Sequence, residues 1–568
     1  MRERQPMQTD TRTIADARAE NRAAAMGSFA QAPHNAPLEH SAGGFTLAPE
    51  FSARQTTTPY QVIGIVALVC ATAISCLIWG FTGVVHALSE AMMAFYGLVL
   101  LHRAGVLIAG ALRPSSATGQ AQVAALPASP RAQPSVAAAS SSPVAASVKV
   151  ADRLPVVSAL IPLYREAGVV SQIVAAIGRM NYPADRLEVV LLLEEDDVET
   201  RAACEAHDLP PSFRVVIVPR GAPRTKPRAC NYGLQVCRGE IVVVYDAEDQ
   251  PEPDQILMAA RALAAAPPDV ACVQARLAYY NPRQNLLTRW FAAEYMGWFE
   301  LMLPGLHAIH APIPLGGTSN HFRADALRSC GGWDSWNVAE DCDLGVRLYR
   351  CGYQVLLLES TTWEEACPEI RLWIRQRSRW VKGYLQTWLV HTRRPVRLWR
   401  DLGTWGVFNM QLLVGGSILC QVVNPIFWFL TLLWWTHPTA WESRVMGGPT
   451  LFLGNLCFTG GNALFIAMQA AGAVRRRQWD LAALALLAPI YWLLMSVAAW
   501  KALGQIVVAP HHWEKTRHGL AVMPLADALP EPGGPTMVAE PQQRPLLAEP
   551  SRCVEGPTIP GDSHTPTP

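Results

Sequence analysis

The sequence predicts an α/β domain with a mostly parallel sheet, inserted between transmembrane α-helices. Half of the 568 residues are hydrophobic and only 16% are charged, with positive mean hydropathy, so part of the chain belongs in a bilayer. Apolar stretches of spanning length flank a central region where short β-branched runs alternate with helical patterns. Those runs end abruptly in polar or acidic residues, most plainly in Val242-Val243-Val244-Tyr245-Asp246-Ala247-Glu248-Asp249. Ligands gather at the carboxyl ends of parallel strands, which puts these carboxylates at a crevice rim. A formal net charge of +1 argues against a dedicated nucleic-acid binder. The 13 cysteines are scattered with no C-x-x-C pair, against a zinc site or disulfide framework and in favour of a reducing compartment.

Residues 1–58 are poor in large apolar residues and contain no cleavable signal, so they read as a disordered cytosolic tail. Residues 62–112 form a transmembrane hairpin with both ends inside. Its first span, Val62–Val85, lacks charged residues; its second, Ala87–Leu112, contains Glu90, His102 and Arg103 and must face protein or snorkel. An Ala/Ser/Pro linker covers 113–152. From 153 to 400 the pattern is that of a cytosolic α/β domain. Val156–Pro162 runs into Leu163-Tyr164-Arg165-Glu166, and after a helical pattern Glu188–Leu193 closes on Glu194-Glu195-Asp196-Asp197. No G-x-G-x-x-G follows the first strand, which removes the main support for dinucleotide binding. Ile370–Val390 reads as an amphipathic helix at the membrane surface, with Arg and Trp at the interface.

Residues 404–508 return to transmembrane helices: Thr404–Trp435, broken at Asn424-Pro425, then Thr450–Val474, then Leu481–Val508, bent at Pro489. Arg475-Arg476-Arg477 stays cytosolic by the positive-inside rule. Five spans place the C-terminus outside, whereas Trp513-Glu514-Lys515-Thr516-Arg517-His518-Gly519 reads as a segment that belongs beside a cytosolic site. These two expectations oppose each other. Residues 509–568 are this segment and a Pro-rich disordered tail.

Hard oxygen ligands at the Asp246-x-Glu248 spacing suit Mg²⁺ or Mn²⁺, which neutralises a diphosphate; the bland alternative is a solvated acidic turn. Cys342 reads as a small buried hydrophobe. The context comes from four segments taken together. They are Glu194–Asp197, then Lys226 with Asn231, then Asp246–Asp249, and finally Ala339-Glu340-Asp341 followed by Gln376-Arg377-Ser378-Arg379-Trp380. Over residues 153–390 this combination resembles the family 2 glycosyltransferases, in the membrane-embedded branch of cellulose, mannan, hyaluronan and poly-N-acetylglucosamine synthases.

The resemblance implies a GT-A-like nucleotide-sugar-binding domain that transfers a sugar with inversion from a UDP- or GDP-sugar to a growing β-linked polysaccharide. It makes Asp341 the catalytic base with Glu340 its partner, and Asp246 and Glu248 the metal ligands. Glu195, Asp196, Lys226, Asn231 and Arg379 would meet the nucleotide-sugar; Gly317, Thr318, Gln376 and Trp380 would line the acceptor pocket, with His321 a hydrogen-bonder there. The chain departs from the family in having Glu248 for a second Asp and Ala339 for a Thr, and where the family usually shows an Asp pair after the second strand the matching carboxylate here is Glu195 or Asp196. The implied partners are the donor, a polysaccharide or lipid-linked acceptor and the lipid bilayer, with no nucleic acid; the implied place is the inner membrane, catalytic domain cytosolic. A non-processive enzyme acting on a lipid carrier is the alternative within this chemistry. A transporter with a nucleotide-sensing domain would need ionisable residues along several spans and internal repeats, and the later spans show few charges and no evident repeat.

Overall fold

The computed structural model describes residues 47–113, 153–437, 449–515 and 519–520. The expected linker and most of both expected tails lie outside the described residues. The eight strands are β1 (Val157–Leu163), β2 (Leu187–Glu194), β3 (Phe213–Val218), β4 (Ile241–Val244), β5 (Gln250–Pro251), β6 (Val270–Tyr279), β7 (Asn320–Arg323) and β8 (Gln354–Glu364), in the sheet order β3-β2-β1-β4-β7-β6-β8-β5. From β3 to β4 every pairing is parallel. The other half is mixed: β7 runs antiparallel to both β4 and β6, and β5 antiparallel to β8. Between β6 and β7 the chain passes through the helices Leu286–Gly297 and Leu303–Ala308.

The apolar runs of β1, β2 and β4 are buried throughout on both faces, as parallel strands require. Register then decides which ends coincide. Leu160 lies opposite both Val190 and Val244, so the chain leaves β1, β2 and β4 along one rim carrying Tyr164, Glu194 and Asp246. Because β7 is antiparallel, Asn320 opposes Val244, and the turn Gly316–Ser319 arrives at that same rim.

Among the described residues, five helices are long and apolar enough to cross a membrane: Pro59–Trp79, Phe81–Ala111, Pro395–Thr436, Leu451–Arg475 and Trp479–Val508. The first two part at Gly80, whose φ of 76° only glycine adopts readily, and not near His86 where hydropathy alone put the boundary. Pro425 lies inside Gly416–Thr436 without ending it, contrary to the expected break. Within the longer run Pro395–Thr436 the break falls at Gly403, with φ 66°, before the expected span begins and ahead of a π-helical turn at Gln411–Gly415.

Residues 47–58 are not the disordered tail that their composition indicates. The Phe51 ring is buried between the Arg350 and Arg397 guanidiniums, 4.8 and 5.3 Å from its centre, and Ser52 Oγ donates to Asp334 Oδ1 at 3.0 Å. At the other end, the helix Ala488–Val508 packs along Ile370–Thr392, with Trp373 against Tyr491 at 5.0 Å and Gln386 Nε2 donating to Pro510 O at 3.1 Å. Its opposite side is an exposed stripe of Ile490, Leu493, Val497, Trp500 and Val507 at helical spacing. The segment that carries it begins on the α/β domain, through Arg283–Asp480 at 2.8 Å, and ends there, through Lys382 Nζ on His512 O at 2.8 Å.

Candidate active site

A cavity of about 730 Å³ opens along the shared rim of the sheet. Asp246, Glu248, Lys226, Glu340, Asp341, Gly317, Gln376, Arg379 and Trp380 all line it, although the chain separates the first and last by more than a hundred residues. Five of the anticipated residues do not reach it. Glu195 points away and accepts from Arg220 N at 3.0 Å; Asp196 pairs with Arg224 at 2.9 Å, and Arg224 itself takes the place on the wall. Asn231 is fully buried, its amide donating to Trp333 O at 2.7 Å and its carbonyl accepting from Trp333 N. Thr318 is buried behind the turn, donating to Val244 O and to the Asp249 carboxylate. His321 is not a pocket residue either: antiparallel pairing places it opposite Val243 in the middle of the sheet, edge-on to Tyr245, and burial pushes its pKa down to about 4.

The acidic rim is densely charged. Lys226 Nζ pairs with Asp246 and donates to Gly317 O at 2.8 Å; burial opposes its charge, but Asp246 and Glu340 hold its pKa above the ordinary lysine value. Asp249 turns inward and accepts from Asp246 N at 2.7 Å, which shapes the turn. Burial and the Asp246 and Glu248 charges push the Asp249 pKa well up. Glu364, from the end of β8, faces the same cavity, and its pKa is raised by burial and then by the charges of Asp249, Glu248 and Asp246.

Among the described residues no group of three or more His, Cys, Asp or Glu side chains is already arranged around an ion. The donor set nevertheless fits a hard divalent cation. Asp246, which pairs with Lys226, and Glu248 present carboxylates to the cavity beside Glu364, and such an ion takes its remaining oxygens from phosphate and water.

Across the cavity, Glu340 and Asp341 open the helix Glu340–Arg350, where the positive end of the helix dipole faces them. Asp341 Oδ1 accepts from Cys342 N at 2.7 Å, and a Cβ placed on Gly317 would lie 3.5 Å from Asp341 Oδ2. Burial raises the Asp341 pKa, against the lowering by Cys342 N, Lys226 and Arg379, while burial and Asp341 push Glu340 up to about 7. Both groups therefore sit nearer to neutrality than free carboxyls, as a proton acceptor should.

The helix Ile370–Thr392 brings the last motif. Gly383 lets it pack directly on Ala339, the residue before the carboxylate pair, so Arg379 and Trp380 one turn earlier lie over Glu340 and Asp341. Arg377, which the motif reading passed over, fixes Trp380: its guanidinium sits 4.7 Å from that ring and 4.4 Å from Phe291, and it pairs with Glu294. The C-terminal segment completes the wall. Trp513 lies under the Arg379 guanidinium at 4.5 Å, and Lys515 pairs with Glu166 at 3.1 Å beside Tyr164. Tyr164, Glu166, Arg224, Glu364, Trp513 and Lys515 thus join the site. Only the Trp513–Gly519 stretch and the β1 end had signalled this in the sequence.

The cavity does not stop at the domain. It continues between the membrane helices past Tyr96 and Arg103, Ser417, Gln421 and Asn424, and Asn462 and Gln469. Ser417, Gln421 and Asn424 recur at i, i+4 and i+7, so one face of that helix is a polar lane in an otherwise apolar span.

Residues 241–494 match a family model described as glycosyl transferase family group 2, and residues 158–319 match glycosyl transferase family 2. The chain is 29% identical over 233 residues to a probable glycosyltransferase of Bacillus subtilis, YdaM, covering 40% of this chain and 55% of that one. It is 27% identical over 278 residues to a probable glucomannan 4-beta-mannosyltransferase of Arabidopsis thaliana, covering 46% of each. With a beta-monoglucosyldiacylglycerol synthase of Trichormus variabilis it shares 29% over 243 residues, covering 42% of this chain and 50% of that one. The chain thus spans about half the length of the curated relatives it matches. Among solved structures, a mannosyltransferase of Pyrobaculum calidifontis in complex with GDP-Man and Mn²⁺ aligns with a TM-score of 0.44 and 20% identity, over 74% of this chain and 99% of that one.

Proposed function

The chain belongs to glycosyltransferase family 2, and from that premise we propose that it is an inverting transferase that moves a sugar from a UDP- or GDP-sugar onto a growing β-linked polysaccharide at the membrane. The observation that carries this reading is the continuity of one cavity from Asp341 to the polar lane between the membrane helices. A single-transfer site needs room for one acceptor sugar; a polymerising site also needs a polar path for the units behind it.

Asp341 takes the proton from the acceptor hydroxyl as that oxygen attacks the anomeric carbon, and the nucleoside diphosphate leaves from the opposite face. Glu340, beside it, raises the basicity of the pair and lines the same wall. Asp246 and Glu248 would hold Mg²⁺ or Mn²⁺, which when bound neutralises the departing diphosphate. Lys226 and Arg379 add positive charge on the donor side, Arg379 through the two-pronged geometry that suits phosphate. Trp380, locked by Arg377, offers a flat apolar face to an acceptor sugar, and Gln376 Oε1, buried without a partner, faces the cavity to accept from a hydroxyl.

The reading places the catalytic domain in the cytosol of an inner-membrane protein. Residues 47–58, 509–515 and 519–520 pack on that domain, which supports an even number of crossings. The proposal is four crossings, with Ala488–Val508 lying along the interfacial helix Ile370–Thr392 and turning its apolar stripe to lipid. This resolves the opposition between five apolar spans and a C-terminal segment at the site.

Transfer to a single lipid-borne acceptor is the second reading, favoured by the relatives named beta-monoglucosyldiacylglycerol synthase. Isolated membranes supplied with Mg²⁺ or Mn²⁺ and a panel of radiolabelled UDP- and GDP-sugars test both. Label in a high-molecular-mass product supports polymerisation, label in extractable lipid the second reading. Incorporation that survives Asp341→Asn undiminished refutes the assigned chemistry.

A further inference from the structure

We propose that the membrane section of the cavity contains an anion subsite at Arg103, so that the acceptor presents a phosphate or carboxylate group there; the inference rests on the glycosyl-transfer reading above. Arg103 lies in Phe81–Ala111, eight residues before its end and hence about 12 Å from the domain side. It is buried and lines the cavity. Its Nη2 donates to Ser417 Oγ and Leu413 O, but Nε has no partner, and among the described residues no carboxylate forms an ion pair with it. The adjacent His102 is engaged by Asn409 Oδ1 at 2.8 Å and offers no negative charge.

The other buried guanidiniums show what is missing. Arg228, Arg347, Arg350 and Arg377 each sit on a carboxylate, Glu194, Asp343, Asp401 and Glu294 respectively. A cation withdrawn from water at membrane depth without a counter-charge is strongly disfavoured, and such residues mark ligand paths. The surroundings are built to receive a polar ligand. Gln421 Oε1 and Gln469 Oε1 are buried on the same cavity without partners, and Tyr96 and Asn424 lie about two turns further in. The amide oxygens match sugar hydroxyls, while the guanidinium matches an oxyanion. Pinning the π-turn carbonyl of Leu413 uses one of its five N–H donors and leaves Nε and the charge unanswered.

The oxyanion has two sources, a lipid-borne phosphate or an acidic substituent on the glycan. The full chain, in nanodiscs of phosphatidylcholine with donor and divalent cation, is challenged with dodecyl phosphate against neutral dodecyl glucoside, and with a tetra-uronate oligosaccharide against a neutral tetrasaccharide. Inhibition of sugar transfer is the readout. One anion should inhibit wild type about 10- to 100-fold better than its neutral match, as charge-assisted hydrogen bonds of this kind provide. The arm that does so identifies the source. Arg103→Gln should abolish that advantage with the donor KM unchanged, and Arg103→Lys, which keeps the charge for insertion, should retain part of it. Wild type that transfers sugar but treats both anions like their neutral matches overturns the subsite, a result independent of how any variant folds. Equal anion advantage in wild type and Arg103→Gln overturns it too, leaving Arg103 as a pin for Leu413. Wild type that transfers no sugar from any donor refutes the underlying functional reading instead.

Discussion

Gly383→Ala tests how closely the helix Ile370–Thr392 must approach Glu340 and Asp341, the proposed catalytic carboxylates. A Cβ at position 383 would lie 2.3 Å from Ala339 Cβ and 2.4 Å from Ala339 N, about 1 Å short of ordinary contact, and the second of these is backbone that cannot rotate away. The helix has to withdraw by that distance. Ala339 immediately precedes Glu340 and Asp341, and Arg379 and Trp380 lie one turn from Gly383, so the withdrawal falls directly on the gap between Trp380 and Asp341, the proposed acceptor platform and base. A misplacement of about 1 Å in a site of this kind lowers turnover by about 10²-fold, and the overpacking destabilises by about 1–3 kcal/mol. Transfer from the radiolabelled donor should therefore collapse while nucleotide binding, measured on the same membranes, changes little. Gly504→Ala is the control, since a Cβ there meets nothing within 4 Å. Wild-type turnover in Gly383→Ala would show that the helix tolerates displacement and that its contact with Ala339 does not set the geometry.

The remaining predictions concern charge, metal and topology. Burial and the Asp341 charge push the Glu340 pKa up to about 7, and neutralising Glu340 makes Asp341 a weaker base, so activity should rise with pH through the neutral range; Glu340→Gln removes that neighbouring charge and should take the limb out of the neutral range, and an unmoved limb in the pH profile contradicts the coupling. Asp246→Asn should weaken donor binding and turnover together, whereas Asp341→Asn should spare donor binding and lose about 10²–10⁴-fold in rate. Full activity in EDTA would remove the metal assignment, and loss of donor binding in Asp341→Asn would move that residue to the donor site. A fluorescent-protein fusion after Leu520 should fluoresce and an alkaline-phosphatase fusion there should stay inactive; the reverse pattern would mean that Ala488–Val508 crosses the membrane.

Several features were legible in the sequence because they are local. A β-branched run ending in carboxylates marks a strand end at any position, and the order of Asp246-x-Glu248, Glu340-Asp341 and Gln376-x-x-Arg379-Trp380 pointed to nucleotide-sugar chemistry before any contact was known. Hydropathy likewise located five apolar helices, though not their ends: the chain breaks where φ turns positive, at Gly80 and Gly403, and not where hydropathy falls or at Pro425.

Tertiary structure decided what depends on register and distant packing. Which acidic residues face the cavity follows from how β2 pairs with β1 and β3, and this excludes Glu195 and favours Glu194. Antiparallel β7 carries His321 into the sheet and its preceding turn to Asp341. The burial of Phe51 between Arg350 and Arg397, and the arrival of Trp513 and Lys515 at a site begun at Tyr164, join residues some 300 to 350 positions apart. Composition identifies such segments only as short and polar, because the partners that order them lie on the far side of the chain, and it is the folded domain that brings those partners within reach.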